Sequence, residues 1–104
     1  MNAKQEFLEE IKDKKLVCAK IGLDRENWGY KPDWKILKPN YSQEDFDSFC
    51  KELDFEYDSG FGSQELFGTI LFEDSYSDRH EYDGSEYWDN HKMPTIEEVL
   101  NFKN

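Results

Sequence analysis

The sequence predicts an α+β fold, a small antiparallel sheet of four to five strands with two to three helices packed on one face. Segments with apolar residues at helical spacing alternate along the chain with segments in which every second residue is apolar. The longest apolar run, 65–73 (ELFGTILFE), is rich in β-branched and aromatic residues and precedes turn-forming residues. We therefore expect it to be a central strand covered on both faces.

Length and composition predict one folded domain over residues 1–104. The net charge of −11 and the 36% of charged residues disfavour a compact chain, but 8 Phe, 6 Tyr and 3 Trp supply apolar area for a small aromatic core. Cys18 and Cys50 are expected to be buried, reduced thiols. No apolar run approaches the ~18 residues of a membrane span, and MNAKQE is not a secretory signal, so we expect a cytoplasmic protein.

Helices are predicted at three places. Residues 3–12 form an amphipathic segment, and Ser42 with Asp45 makes a capping box at the start of a second helix. The apolar stripe of this second helix is Phe46, Phe49, Cys50 and Leu53. Thr95 with Glu98 marks a final short helix. That helix is expected to bury Ile96, Val99 and Leu100.

The strands are predicted from alternation and from turn residues. The predicted strands are 16–23, 34–38, 55–58, 65–73, 79–83 and 86–89. Residues 74–78 (DSYSD) are expected to be a turn, and Gly84-Ser85 separates the last two strands. No internal repeat is evident.

Charge is unevenly distributed, and this predicts the class of partner. Residues 1–41 hold 9 Lys/Arg and 7 Asp/Glu, whereas residues 42–104 hold 4 Lys/Arg and 17 Asp/Glu. A negative field of this density repels itself and attracts a basic surface. We therefore expect a basic, nucleic-acid-binding protein as partner, and neither nucleic acid nor a membrane.

Acidic side chains in the later strands are expected to imitate a line of phosphates. Residues i and i+2 of a strand share a face at about 6.6–6.8 Å, so Glu56 with Asp58, and Glu81 with Asp83, form carboxylate pairs. DNA carries a phosphate every ~3.4 Å along each strand. The predicted partner-binding residues are Glu56, Asp58, Asp74, Tyr76, Asp78, Glu81, Asp83, Glu86, Tyr87 and Asp89. We expect their carboxylates to form one continuous negative face, with the tyrosines as anchors.

Other sites were weighed against this one. Asp54, Glu56, Asp58 and Glu65 approximate a calcium loop, but the glycine is one position late. Cys18, Cys50, His80 and His91 are zinc-ligand types without the usual short spacing. Residues 28–38 could stack a nucleotide between rings and lysines. No catalytic motif is present, so no catalytic residue, cofactor or metal is predicted.

The runs 57–74 and 81–88 (EYDGSEYW) resemble a family of small phage-encoded acidic proteins of unassigned function that share a "GQELFGTI…EYDGSEWW"-like stretch. This chain has Ser63 where a glycine is common and Tyr87 where a tryptophan is common. The resemblance implies a phage setting and therefore counter-defence or host takeover.

The predicted function is thus a non-enzymatic acidic inhibitor that occupies a basic nucleic-acid-binding site on a host protein. The alternatives are a nucleotide-binding module and an immunity protein against a basic nuclease toxin.

Overall fold

The computed structural model describes residues 1–24, 32–57, 64–82, 85–93 and residue 100. Its elements are α1 (Ala3–Ile11), β1 (Leu16–Leu23), β2 (Asp33–Leu37), α2 (Gln43–Glu52), β3 (Leu66–Phe72), β4 (Ser75–Tyr82) and β5 (Ser85–Lys92). The strands form one antiparallel sheet in the order β2-β1-β3-β4-β5. The predicted α+β class is confirmed. Among the described residues, neither helix is long and apolar enough to cross a membrane.

Both helices begin with the side-chain caps that their sequences favour. Asn2 Oδ1 accepts from the Gln5 amide at 3.0 Å at the start of α1. In α2, Ser42 Oγ accepts from the Asp45 amide at 3.1 Å while the Asp45 carboxylate accepts from the Ser42 amide at 3.0 Å, so the predicted capping box is confirmed. Each bond satisfies an amide that has no partner within its helix.

The helices cover one side of the sheet, which we call the inner face; the other side is the open face. Phe7 of α1 and Phe49 of α2 meet edge to face at 5.2 Å between ring centroids. Around them lie the buried residues of the core, which include Ala19, Ile21, Leu37, Leu53, Leu66, Ile70 and Phe72. Burial of this apolar area is the main force that holds helices to sheet.

Strand β3 lies at the centre of the sheet, as predicted, but only one of its faces is fully covered. Leu66, Ile70 and Phe72 are buried on the inner face, whereas Thr69 is exposed on the open face. The expected cover on both faces is wrong, because α1 and α2 lie on the same side. Gly68 has a φ of +150°, and a Cβ there would stand 2.3 Å from the Lys20 carbonyl oxygen, so the close pairing with β1 requires glycine.

The predicted turn at 74–78 is wrong, because β4 already begins at Ser75 and only Glu73 and Asp74 lie between the strands. Ser75 and Ser77 are polar yet buried, and Ser77 Oγ donates to Glu10 Oε2 of α1 at 2.6 Å. A buried hydroxyl is tolerated in a strand when it finds such a partner. The polar composition of residues 74–78 therefore suggested a turn, whereas residues 75–78 begin a strand that α1 covers.

Two further expectations differ at the ends of elements. The described part of the predicted strand 55–58 makes a single bridge, Asn2 to Glu56, beside the start of α1. Leu100, expected to be buried, is helical but 77% exposed. The rest of the predicted final helix, residues 94–99, lies outside the described residues.

A buried arginine joins α1 to the hairpin of β4 and β5. The Arg79 side chain is fully buried, with Nη2 3.3 Å from Glu6 Oε2 and Nε 3.6 Å from Glu86 Oε1. Its guanidinium carbon lies 5.5 Å from the Tyr57 ring centroid and 5.2 Å from that of Trp88. Glu86, also buried, accepts from two backbone amides at the start of β3. A buried charge is tolerated when charges of opposite sign lie beside it, and Arg79 has two such carboxylates.

Tyr57 completes the cluster around Arg79. Its hydroxyl donates to Glu6 and accepts from Arg79. Burial, and secondly the hydrogen bond to Glu6, raise the pKa of Tyr57 far above its ordinary value. The neutral phenol is therefore the form that the folded protein stabilises.

Replacing Tyr57→Phe should lower the free energy of unfolding by about 1.5–3 kcal/mol at neutral pH, because hydrogen bonds to charged groups are lost. The substitution should also reduce the decline of the unfolding free energy at alkaline pH. Since the folded pKa of Tyr57 is raised, its contribution is complete below the unfolded pKa of about 10 and falls as pH increases beyond it. Urea unfolding at neutral pH and above pH ~10 measures both effects.

The exposed Tyr82→Phe is the matched control and should change neither quantity. Parallel curves of unfolding free energy against pH for wild type and Tyr57→Phe would contradict the role assigned to Tyr57.

Candidate binding face on the β4–β5 hairpin

The outer side of the β4–β5 hairpin is a polar and aromatic surface that neither helix covers. Successive residues of a strand point to opposite faces, so the burial of Ser77 and Arg79 on the inner face sends their neighbours outward. We call the resulting surface the β4–β5 face. It consists of Tyr76, Asp78, His80 and Tyr82 of β4 and Ser85, Tyr87, Asp89 and His91 of β5.

The expectation of no internal repeat is wrong, because a five-residue repeat, Tyr-x-Asp-x-His, generates most of this face. It occurs as 76–80 (YSDRH) in β4 and as 87–91 (YWDNH) in β5. The register pairs Asp78 with Asp89, so the two copies are related by an approximate two-fold axis through that pair. The alternation puts all six repeat residues on one side of the sheet.

The two histidines are each stacked on the tyrosine of the opposite strand. Tyr76 and His91 have ring centroids 5.1 Å apart with planes inclined by 28°, and His80 and Tyr87 have centroids 6.1 Å apart with planes inclined by 24°. The His80 and His91 centroids are 6.2 Å apart. Stacking of this kind limits the rotation of both imidazoles and points them toward the centre of the repeat.

The centre of the face is acidic. Asp78 and Asp89 are directly opposed, and like charges opposed across two strands destabilise a sheet. Asp89 Oδ2 lies 3.2 Å from His91 Nε2 and 3.7 Å from His80 Nε2, and Thr69 Oγ1 lies 3.4 Å from Asp78 Oδ1. Within the described part of β4 and β5, no lysine or arginine points to this side.

The structure brings four of the predicted partner-binding residues together. Tyr76, Asp78, Tyr87 and Asp89 share the β4–β5 face, and Asp74 is exposed in the turn before β4. Tyr76 was expected in a turn and instead lies within β4.

The remaining predicted residues lie elsewhere. Glu81 and Glu86 face the inner side, where Glu86 is only 5% exposed, forms an ion pair with Arg79 and accepts hydrogen bonds from two backbone amides. Glu56 lies beside α1, with a carboxylate oxygen 3.4 Å from the Met1 amino group. Asp58 and Asp83 lie outside the described residues.

The expectation of one continuous negative face is therefore wrong for the described carboxylates. The physical reason is the inward orientation of Arg79, whose charge is paired with Glu86 on the inner face of the sheet and with Glu6 of α1. Acidic residues that sequence analysis treated as one surface are divided between two sides of the sheet. What remains outward is a compact pair, Asp78 and Asp89, framed by rings.

The other sites considered from the sequence are not assembled as expected. Strand β3 begins at Leu66, where a calcium loop of the proposed type would continue into a helix. Cys50 is buried in α2, and burial raises the pKa of its thiol, which disfavours the thiolate that metals bind. Cys18 lies on the open face of β1, away from both histidines.

Part of the segment considered for nucleotide stacking is described. Trp34 lies on the open face of the edge strand β2, where it is 38% exposed and the Lys20 ammonium stands 4.6 Å from its ring centroid. Residues 25–31 lie outside the described part of the chain.

Sequence analysis missed the joint position of His80 and His91. The two histidines were considered as metal ligands only together with the cysteines, although each follows an aspartate by two positions and a tyrosine by four. Reading the repeat with the period of a strand would have placed all six residues on one face. It could not have given the register that sets the two aspartates opposite one another.

No family model matches the chain, and the comparisons with curated proteins and with solved structures likewise give no match.

Asp78→Asn should raise the free energy of unfolding by about 0.2–1 kcal/mol in the presence of a chelator, because it removes a like-charge pair across two strands. The asparagine carbonyl can still accept from Thr69. The gain should shrink at high salt, which screens exposed charges.

Urea unfolding measures this effect, with Glu9→Gln on the exposed side of α1 as the control for a simple change in net charge. A gain equal to that of the control, or a loss, would contradict repulsion between Asp78 and Asp89.

Proposed function

We propose that the protein is a non-enzymatic acidic inhibitor that binds a basic, nucleic-acid-binding site on a host protein through its β4–β5 face. The observation that supports this most directly is the composition of that face: two opposed carboxylates and exposed aromatic rings, with no lysine or arginine in its described part. A phage origin, with counter-defence or host takeover as its purpose, is part of the proposal and rests on the sequence resemblance alone.

The opposed aspartates are suited to an arginine or lysine that normally binds phosphate. Side chains directly opposite across two strands have Cβ atoms about 4.5–5.5 Å apart, so Asp78 and Asp89 present two negative charges within a short distance. Arginine recognises carboxylate and phosphate oxygens through the same fork of N–H donors. A cleft that binds nucleic acid can therefore accept this pair in place of phosphates.

Aromatic side chains beside the carboxylates supply the apolar part of a protein interface. Tyr82 is 76% exposed and Tyr87 is 43% exposed. Tyrosine is enriched among residues that dominate binding energy, whereas surrounding charges mainly set association rate and choice of partner. The combination favours a protein partner over a small anionic ligand, which these aspartates would repel.

The remaining charge of the molecule assists by steering. The net charge of −11 attracts a basic surface from a distance, and this attraction weakens as salt increases. Contact itself is assigned to the β4–β5 face and to Asp74 at its edge. Glu86 has no part in it, because it is buried against Arg79.

Neutralising both aspartates of the face should weaken partner binding by about tenfold, equivalent to about 1.4 kcal/mol. Immobilised protein is incubated with bacterial lysate in a chelating buffer, and captured proteins are challenged with duplex DNA. The expected captured proteins bind nucleic acid and are released by DNA and by high salt. Asp78→Asn with Asp89→Asn should retain far less of them than wild type.

The matched control is Glu9→Gln with Glu52→Gln, which removes two exposed carboxylates from the helices. Both double variants carry a net charge of −9 against the −11 of wild type, so only the position of the lost charge differs. Equal capture by the two variants, or captured proteins that DNA does not displace, would overturn the proposal.

A further inference from the structure

We infer that the β4–β5 face is a binding site for a divalent transition-metal ion such as zinc, with Asp78, His80 and His91 as its ligands. Each of these residues places one ligand atom within 4.8 Å of those of the other two. Asp89, between the two imidazoles, supplies a second carboxylate against the charge of the ion. This inference does not depend on the proposed partner.

The geometry requires only a small adjustment to hold an ion. Zinc binds imidazole nitrogen and carboxylate oxygen at about 2.0–2.2 Å, which puts tetrahedral ligand atoms about 3.3 Å apart. The side chains of Asp78, His80 and His91 must therefore close by at most about 1.5 Å from their separation of up to 4.8 Å. This adjustment is shared among three side chains, of which His80 and His91 are partly exposed, with 47% and 38% of their side chains accessible.

The choice of ion follows from the types of ligand. Two imidazoles with carboxylates suit zinc and its neighbours in the first transition row, whereas calcium and magnesium prefer oxygen ligands throughout. The opposed aspartates are a separate reason to expect a cation. Their negative charges repel one another, and a bound positive ion would attract both and offset that repulsion. The negative charge of the aspartates thus favours a cation, and the imidazole nitrogens favour a transition metal among cations.

The surroundings hold the ligands in place before an ion arrives. Each imidazole is stacked on a tyrosine of the opposite strand, and Thr69 Oγ1 lies 3.4 Å from Asp78 Oδ1. Hydrogen bonds to metal ligands orient them, and at known sites the loss of such a bond costs one to two orders of magnitude in affinity. The ligands also lie on paired strands whose opposite side is packed on α1 through Arg79.

The cysteines are not part of this site. Cys18 is paired with Leu71, Leu71 with Tyr76, and Tyr76 with His91, so Cys18 is three strand spacings, or about 14 Å, from the strand of His91. Cys50 is buried in α2 on the inner side. Neither thiol can therefore share a metal ion with His80 and His91 in this fold.

Calorimetric titration with Zn²⁺ tests the inference. We expect saturable one-to-one binding to the wild-type protein, and dissociation constants at least about tenfold higher for His80→Gln and for His91→Gln. Titration with Co²⁺ should give visible absorption bands that either histidine variant diminishes. Ca²⁺ should give no comparable saturable binding.

Cys18→Ser with Cys50→Ser is the control for thiol binding and should retain the wild-type affinity. Thermal melts in a chelator identify any variant that fails to fold. If a His→Gln variant does not fold, the titration is repeated with His80→Asn or His91→Asn. Three results would each overturn the inference. These are absence of saturable Zn²⁺ binding by the wild type, unchanged affinity in folded variants of His80 and His91, and loss of binding when both cysteines are replaced by serine.

Discussion

The buried guanidinium of Arg79 is the constraint on which the two faces of the hairpin depend. It lies between the rings of Tyr57 and Trp88 and beside the carboxylates of Glu6 and Glu86. Because strand residues alternate, holding Arg79 and Glu86 inward sends both Tyr-x-Asp-x-His repeats outward. A shift of one residue in β4 would expose Arg79 and bury Asp78, and a shift of one residue in β5 would expose Glu86 and bury Asp89. The same contacts that stabilise the core therefore fix the composition of the open face.

Elements with a clear period could be predicted from the sequence to within a residue or so, as with β1 and the capped helix α2. The order of the strands could not, because it depends on pairing between distant segments. Face assignments failed where polar side chains are buried: Ser77 donates a hydrogen bond to Glu10, and Glu86 forms an ion pair with Arg79 and accepts hydrogen bonds from backbone amides. Charged and hydroxyl-bearing residues usually face water, so only the partner on another element explains their inward position.

The proposed protein partner and the proposed metal ion would both bind the carboxylates of the β4–β5 face. One molecule therefore cannot bind the two at the same time. A divalent ion held by Asp78, His80 and His91 would cancel the two negative charges of Asp78 and Asp89 and so remove the attraction of this centre for a basic partner. If both proposals hold, free metal would act as an antagonist of partner binding. The edge of the face at Asp74 and the exposed ring of Tyr82 would remain available in either state.

The most direct test of this account is hydroxyl-radical footprinting of the native protein, read residue by residue on the hairpin. Tyr87 is 43% exposed, whereas the adjacent Trp88 packs against Arg79 on the inner face. The account predicts rapid modification of Tyr82 and Tyr87 and protection of Trp88 and Tyr57, although tryptophan is intrinsically at least as reactive as tyrosine. Rapid modification of Trp88 with protection of Tyr87 would mean that β5 presents its opposite side to solvent. That result would contradict both the role of Arg79 and the assignment of the β4–β5 face as a binding site.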